Sequence, residues 1–152
     1  MLEHNSKEYL EILRNVHLNK IGFLEIHSVI HLENYVTGEM DIDIKNEIQI
    51  PETDSEEKHA FLDKYKITGN IKDKSIFDIE TTIVLVIESK EKIGTDFLKI
   101  FSEKNCKIIT YPYLRQAVQD LTSKMGLPVL SLPLWQNPAT IKEEGKKEAV
   151  PV

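Results

Sequence analysis

Hydrophobic and polar positions alternate along the first two thirds of the chain and follow a helical period in the last third. From Met40 to Ile50 the even positions Met40, Ile42, Ile44, Ile48 and Ile50 are apolar, with Asn46 the exception. The odd positions between them, Asp41, Asp43, Lys45, Glu47 and Gln49, are polar, which is the signature of a half-buried strand. Upstream, Val16, Leu18, Ile21 and Phe23 alternate once an extra residue near Asn19 and Lys20 is absorbed as a bulge. Downstream, Phe61, Asp63, Tyr65, Ile67 and Gly69 predict a third strand and Ile76 to Glu88 a fourth, with the return between them running from Gly69-Asn70 to Lys74. The run Ile83-Val84-Leu85-Val86-Ile87 does not alternate, so both faces should be covered there: one by the helices, the other by a second copy of the protein.

The period then changes. Thr95 is a plausible N-cap with Asp96 behind it, and Phe97, Leu98, Ile100 and Phe101 predict a short apolar helix. Pro112 suits a first helical position, and Leu114, Val118, Leu121 and Met125 repeat at spacings of four, three and four. Gly126 followed by Leu127-Pro128 is a stop signal. The segment PVLSLPLW after it is apolar and extended, but its prolines exclude it from a central strand. Four strands followed by a short and a long helix predict an α+β fold with a four-stranded antiparallel sheet. One domain over 1–136 is expected, with 137–152 as a mobile tail because that stretch has almost nothing to bury.

Composition narrows the function. The 152 residues are 41% hydrophobic and 29% charged, an ordinary globular balance, and the net charge is −6. Residues Gly38 to Glu57 hold eight acids and one base, so that stretch alone carries −7 and leaves +1 for the rest. A duplex nucleic acid or an anionic membrane needs a basic surface, so neither is an expected partner. A single Cys106 forms no internal disulfide, the start MLEHNSKEYL has no signal-peptide core, and no apolar run reaches the roughly 18 residues of a membrane span, so a cytoplasmic location is expected.

Catalytic chemistry finds little support. Neither GxxxxGK[ST] nor GxGxxG is present. His27 and His31 are four apart, a metal spacing on a helix, but they flank Ser28-Val29-Ile30, which reads as a strand end or loop. Cys106 has no CxxC partner and reads as core. Asp78, Glu80 and the acidic stretch lack EF-hand spacing and read as a solvated strand face. No cofactor or metal is called for. What remains is an apolar surplus: Phe97 and Phe101 on a short helix, then Leu130, Leu132, Leu134 and Trp135 beside prolines. These residues cap the core and an oligomer interface, or they line an apolar groove for a peptide.

The stretch Ile108-Ile109-Thr110-Tyr111-Pro112-Tyr113-Leu114-Arg115, followed fifteen residues after Pro112 by Leu127-Pro128 and then Leu130-Ser131-Leu132-Pro133, resembles the helix and C-terminal motif of SecB-type export chaperones. Tyr111, Pro112, Tyr113, Arg115, Gly126 and Pro128 carry the motif, and Val16 to Phe23 resembles the family's first strand. The resemblance implies a homotetramer built as a dimer of dimers and an ATP-independent holdase for unfolded or preprotein chains. It also implies a client groove beside the helices, near which Phe77 and Ile79 would fall, and places Glu80 on an acidic strand that docks the SecA translocase motor. The sequence departs from the family pattern at Gln116, at Lys20 and Leu24, where docking acids are expected, and at Leu134-Trp135-Gln136-Asn137. The competing reading is a non-chaperone adaptor on the same fold that binds one folded partner.

Overall fold

The computed structural model describes residues 2–4 and 6–133. In chain order the elements are α1 (Lys7–Arg14), β1 (Val16–Ile30), a 3-10 turn (Leu32–Asn34), β2 (Asp41–Gln49), β3 (Lys58–Ile71) and β4 (Lys74–Ser89). The helical arm follows as α2 (Thr95–Ile100), a π-turn (Phe101–Asn105) and α3 (Cys106–Lys124). The strands form one antiparallel sheet ordered β1-β4-β3-β2, which is the α+β arrangement that the pattern predicts. β1 and β2 are therefore the edges.

Strand burial follows the alternation. Every odd position of β3 from His59 to Ile71 is buried and every even one is half-buried or exposed. In β4 the phase slips by one at Ile76-Phe77, both buried, and odd positions stay buried from there to Ser89. A slip of this kind is what a β-bulge produces. The turn between β3 and β4 is Lys72-Asp73, with φ of 50° and 64°, the positive-φ geometry that matches strand twist in two-residue hairpins. Gly69, expected at the start of that turn, lies instead inside β3. A Cβ there would run into the Phe77 ring and come within 2.8 Å of the Met40 sulfur, so the glycine marks a close approach rather than a turn.

Other boundaries also moved. β1 continues to Ile30 and includes His27. Gly94, not Thr95, is the N-cap of α2, and it supplies no side-chain bond. Pro112 sits inside α3 rather than opening it, because the π-turn keeps the backbone helical from α2 into α3. The carbonyl that a proline leaves without a partner is that of Ile108, whose side chain is exposed. The predicted stop is correct: Gly126 has φ 77°, its N–H donates to the Ser123 carbonyl (3.0 Å), and the Leu127 N–H donates to that of Thr122 (3.1 Å). That is a Schellman cap.

The chain divides into two compact units. The first comprises Met1–Leu24, Ile48–Asp63 and Thr82–Thr110. Its core joins Phe61, Leu85 and Ile87 of the sheet to Phe97, Leu98 and Phe101 of the helical arm. Asp63 is fully buried there and accepts a 2.6 Å hydrogen bond from the Thr110 hydroxyl. The second unit comprises Glu25–Glu47, Lys64–Thr81 and the chain from Tyr111 on. Here the segment after α3 folds back on it: Leu130 N–H donates to Thr122 Oγ1 (3.0 Å) and Arg115 Nε to the Leu132 carbonyl (2.8 Å). Tyr111 and Leu114 are fully buried, so the motif residues Tyr111 and Arg115 have structural work.

In the second unit His31 Nε2 donates to Asp78 Oδ2 (2.9 Å), and the hydroxyls of Thr68 and Ser75 point at the same carboxylate. Burial pulls the Asp78 carboxyl upward, but the hydrogen bonds from His31, Thr68 and Ser75 and the charge of His31 outweigh it and hold its pKa below the usual value.

Two outcomes follow from these contacts. Gly69→Ala should cost about 1–3 kcal/mol by overpacking, and Phe77→Leu in the same chain should return part of it; denaturant unfolding of the three variants checks this. Because the folded pKa of Asp78 is depressed, its stabilisation is present above the unfolded carboxylate pKa of about 3.9 and is lost as pH falls through the folded value. The difference in melting temperature between wild type and Asp78→Asn should therefore shrink as pH falls below about 4; a difference that stays the same across that range contradicts it.

Candidate functional site

The loop between β2 and β3 has the sequence Ile50-Pro51-Glu52-Thr53-Asp54-Ser55-Glu56-Glu57, with four acids and no base. It keeps its shape through its own hydroxyls. Thr53 Oγ1 accepts from Ser55 N–H (3.1 Å), and Ser55 Oγ accepts from the N–H groups of Glu57 (3.3 Å) and Lys58 (3.0 Å). Lys92 Nζ lies 3.2 Å from the Glu56 carboxylate and ties the loop to the start of the helical arm.

An open cleft of about 640 Å³ lies between this loop and α2, within the first unit. Ile50, Pro51 and Leu98 give it apolar wall, Glu52, Thr53 and Asp54 form an acidic rim, and His59 closes one side. His59 is buried, and its Nε2 donates to the Glu56 carbonyl (3.2 Å). Among the described residues no base lies within ion-pair distance of Glu52 or Asp54. The cleft thus offers apolar contact beside unneutralised negative charge.

Its apolar wall is fixed from behind. Leu98 also belongs to the core cluster, in which Phe97 stacks with Phe101 at 5.8 Å between centroids and Phe101 lies 5.2 Å from Phe61. Cys106 is buried in that cluster; burial first, and then the charge of Asp63, push its thiol well up, the reverse of what a nucleophile needs. Among the described residues no group of His, Cys, Asp and Glu could hold a metal ion, and no helix is long and apolar enough to cross a membrane.

The residues expected to touch a client take core positions in this chain. Phe77, Ile79, Phe97, Phe101, Leu130 and Leu132 are each 3% exposed or less. Phe97 and Phe101 are brought together in the first unit; Phe77, Ile79, Leu130 and Leu132 belong to the second. Leu134, Trp135 and the expected tail lie outside the described residues. Glu80 is about half exposed, with Lys66 Nζ 3.6 Å away.

Two features escaped the sequence pattern. One is the apolar wall of the cleft, since Ile50 reads there as the end of a strand and Pro51 as part of the acidic stretch. The other is α1, whose signal was available: Ser6 caps the helix by accepting from Tyr9 N–H (3.1 Å), and Tyr9, Ile12 and Leu13 recur at three and four residues. The apolar edge is equally exposed. On β1, Leu18 (52%), Leu24 (65%) and Ile26 (48%) face outward.

No family model and no curated protein matches the sequence. Among solved structures the chain is similar to the SecB-like chaperone Rv1957 of Mycobacterium tuberculosis, seen in complex with a ChAD peptide from the Rv1956 HigA1 antitoxin. The TM-score is 0.73 and the identity 14%, over 84% of this chain and 94% of that one. A Streptococcus agalactiae protein of unknown function aligns at TM-score 0.43 and 11% identity over 78% of this chain and 97% of that one, too loosely to carry an argument. The likeness to the first establishes the architecture: this chain has a SecB-like fold.

Proposed function

We propose that the chain is an ATP-independent holdase that binds unfolded polypeptide segments in the cleft beside α2, and that it works in the cytoplasm as a homo-oligomer rather than as an enzyme. The cleft carries the reading. Its apolar wall of Ile50, Pro51 and Leu98 accepts side chains without reading sequence, at roughly 25 cal/mol per Å² of apolar area buried. Glu52 and Asp54 on its rim favour segments in which Lys or Arg lies next to apolar residues. The SecB-like neighbour holds a peptide of another protein, which supports a polypeptide as the ligand class. Because that peptide comes from one particular antitoxin, an adaptor for a single partner is the second reading.

Oligomerisation supplies what one shallow cleft lacks. β1 is a 15-residue edge strand with Leu18, Leu24 and Ile26 exposed, and a long apolar edge needs a cover. A second copy paired there, with two such pairs making a tetramer, lets one long client engage several clefts at once, which raises avidity without new contacts. Delivery to SecA would use Glu80, which stands exposed on the other face of β4 from the buried Ile79.

The test is suppression of aggregation of a chemically denatured protein, without ATP. Wild type should suppress it, and Glu52→Lys with Asp54→Lys should weaken suppression of a basic client by about three- to tenfold at low salt while leaving the fold intact. Binding of one folded partner with no effect on unfolded chains would select the adaptor instead. In light scattering the chain should run at two or four times its 17.5 kDa, and Leu24→Lys should shift it toward the single mass; a wild type already at that mass contradicts the assembly.

A further inference from the structure

α1 lies on Phe97, one of the aromatic residues that the sequence assigned to clients. It contributes one fully buried side chain, Tyr9, with Ile12 and Leu13 half-buried and the rest of the helix exposed. The Tyr9 ring stacks on Phe97 at 4.9 Å between centroids, and its hydroxyl donates to Asn105 Oδ1 at 2.5 Å. Burial pushes that hydroxyl up to about 12, so it stays protonated and able to donate. Asn105 belongs to the π-turn, an irregularity that recurs at functional sites. Eight residues do not hold a helix in water, so α1 keeps its form only while docked, and its one deep anchor is a single aromatic side chain. Leu98, next to Phe97, belongs both to this cluster and to the cleft wall. The cluster therefore adjoins the cleft through Leu98, and α1 covers it at Phe97.

We propose that α1 is an internal occupant of an aromatic subsite: Tyr9 fills, against Phe97 and beside Asn105, the place of an aromatic residue of a bound polypeptide, and α1 leaves when a client takes that place. This rests on the polypeptide-binding reading and adds a gated portion to its surface. The ligand is a segment bearing an aromatic side chain, tyrosine above all, because one wall of the subsite is a phenyl ring and its rim is a carboxamide oxygen that accepts an O–H. The holdase then hides part of its apolar surface when idle.

The test uses the full chain and a reduced, carboxymethylated polypeptide as probe. On binding, the amides of residues 7–14 should lose protection from hydrogen exchange by about tenfold or more, while β3 and β4 keep theirs. Tyr9→Ala should tighten the apparent Kd by about tenfold, since a competing closed state is removed, and Tyr9→Phe, which keeps the stack and loses the hydrogen bond to Asn105, by about two- to threefold. If Tyr9→Ala does not fold, Asn105→Ala leaves the ring stack in place and should match Tyr9→Phe. A complex in which α1 stays as protected as in the free chain, or variants that fold and bind no tighter than wild type, overturns this inference alone. Absence of binding by every protein overturns the holdase reading with it.

Discussion

Stacking of Phe97 on Phe101, and tilted packing of Phe101 against Phe61, holds the start of the helical arm to β3, and the first unit is arranged around that contact. The helical arm opens on a glycine N-cap with no side-chain bond, so capping does not keep α2 in place. Burial of Phe97 and Leu98 does. Because Leu98 also faces the cleft, the packing that secures α2 sets the position of one side of the cleft. The other side is the loop that carries Ile50 and Pro51, shaped by Thr53 and Ser55 hydroxyls, with Lys92 beside Glu56.

Much of the fold was legible because strand burial and helix termination are local. The alternation in Met40 to Ile50 and the Gly126 stop needed only their own neighbours to be read. Errors arose where tertiary contact decided. Gly69 looks like a turn until the Phe77 ring is placed against it, and Pro112 looks like a helix start until the π-turn joins α2 to α3. The site was less legible. Aromatic surplus pointed to Phe97 and Phe101, but in this chain the rings face each other and Tyr9 rather than solvent. The cleft wall is made of residues that read as a strand end and an acidic loop, and no periodicity marks the space between two elements.

The charge of the acidic loop serves two ends. Among the described residues Glu52 and Asp54 meet no base, so in the proposed holdase this charge is available to a ligand, and it would supply the repulsion that keeps copies of an apolar-binding protein dispersed. In the proposed holdase, binding by contact area and charge, repeated over several copies, would account for retention, and release would require only that a tighter competitor take the client.

The most direct measurement is a titration of a fluorescently labelled, permanently unfolded polypeptide with the purified protein in the absence of nucleotide. The account predicts saturable binding that weakens as salt rises, with a stoichiometry of several protein chains per polypeptide. A polypeptide that stays free at protein concentrations well above those of any folded partner's binding contradicts it.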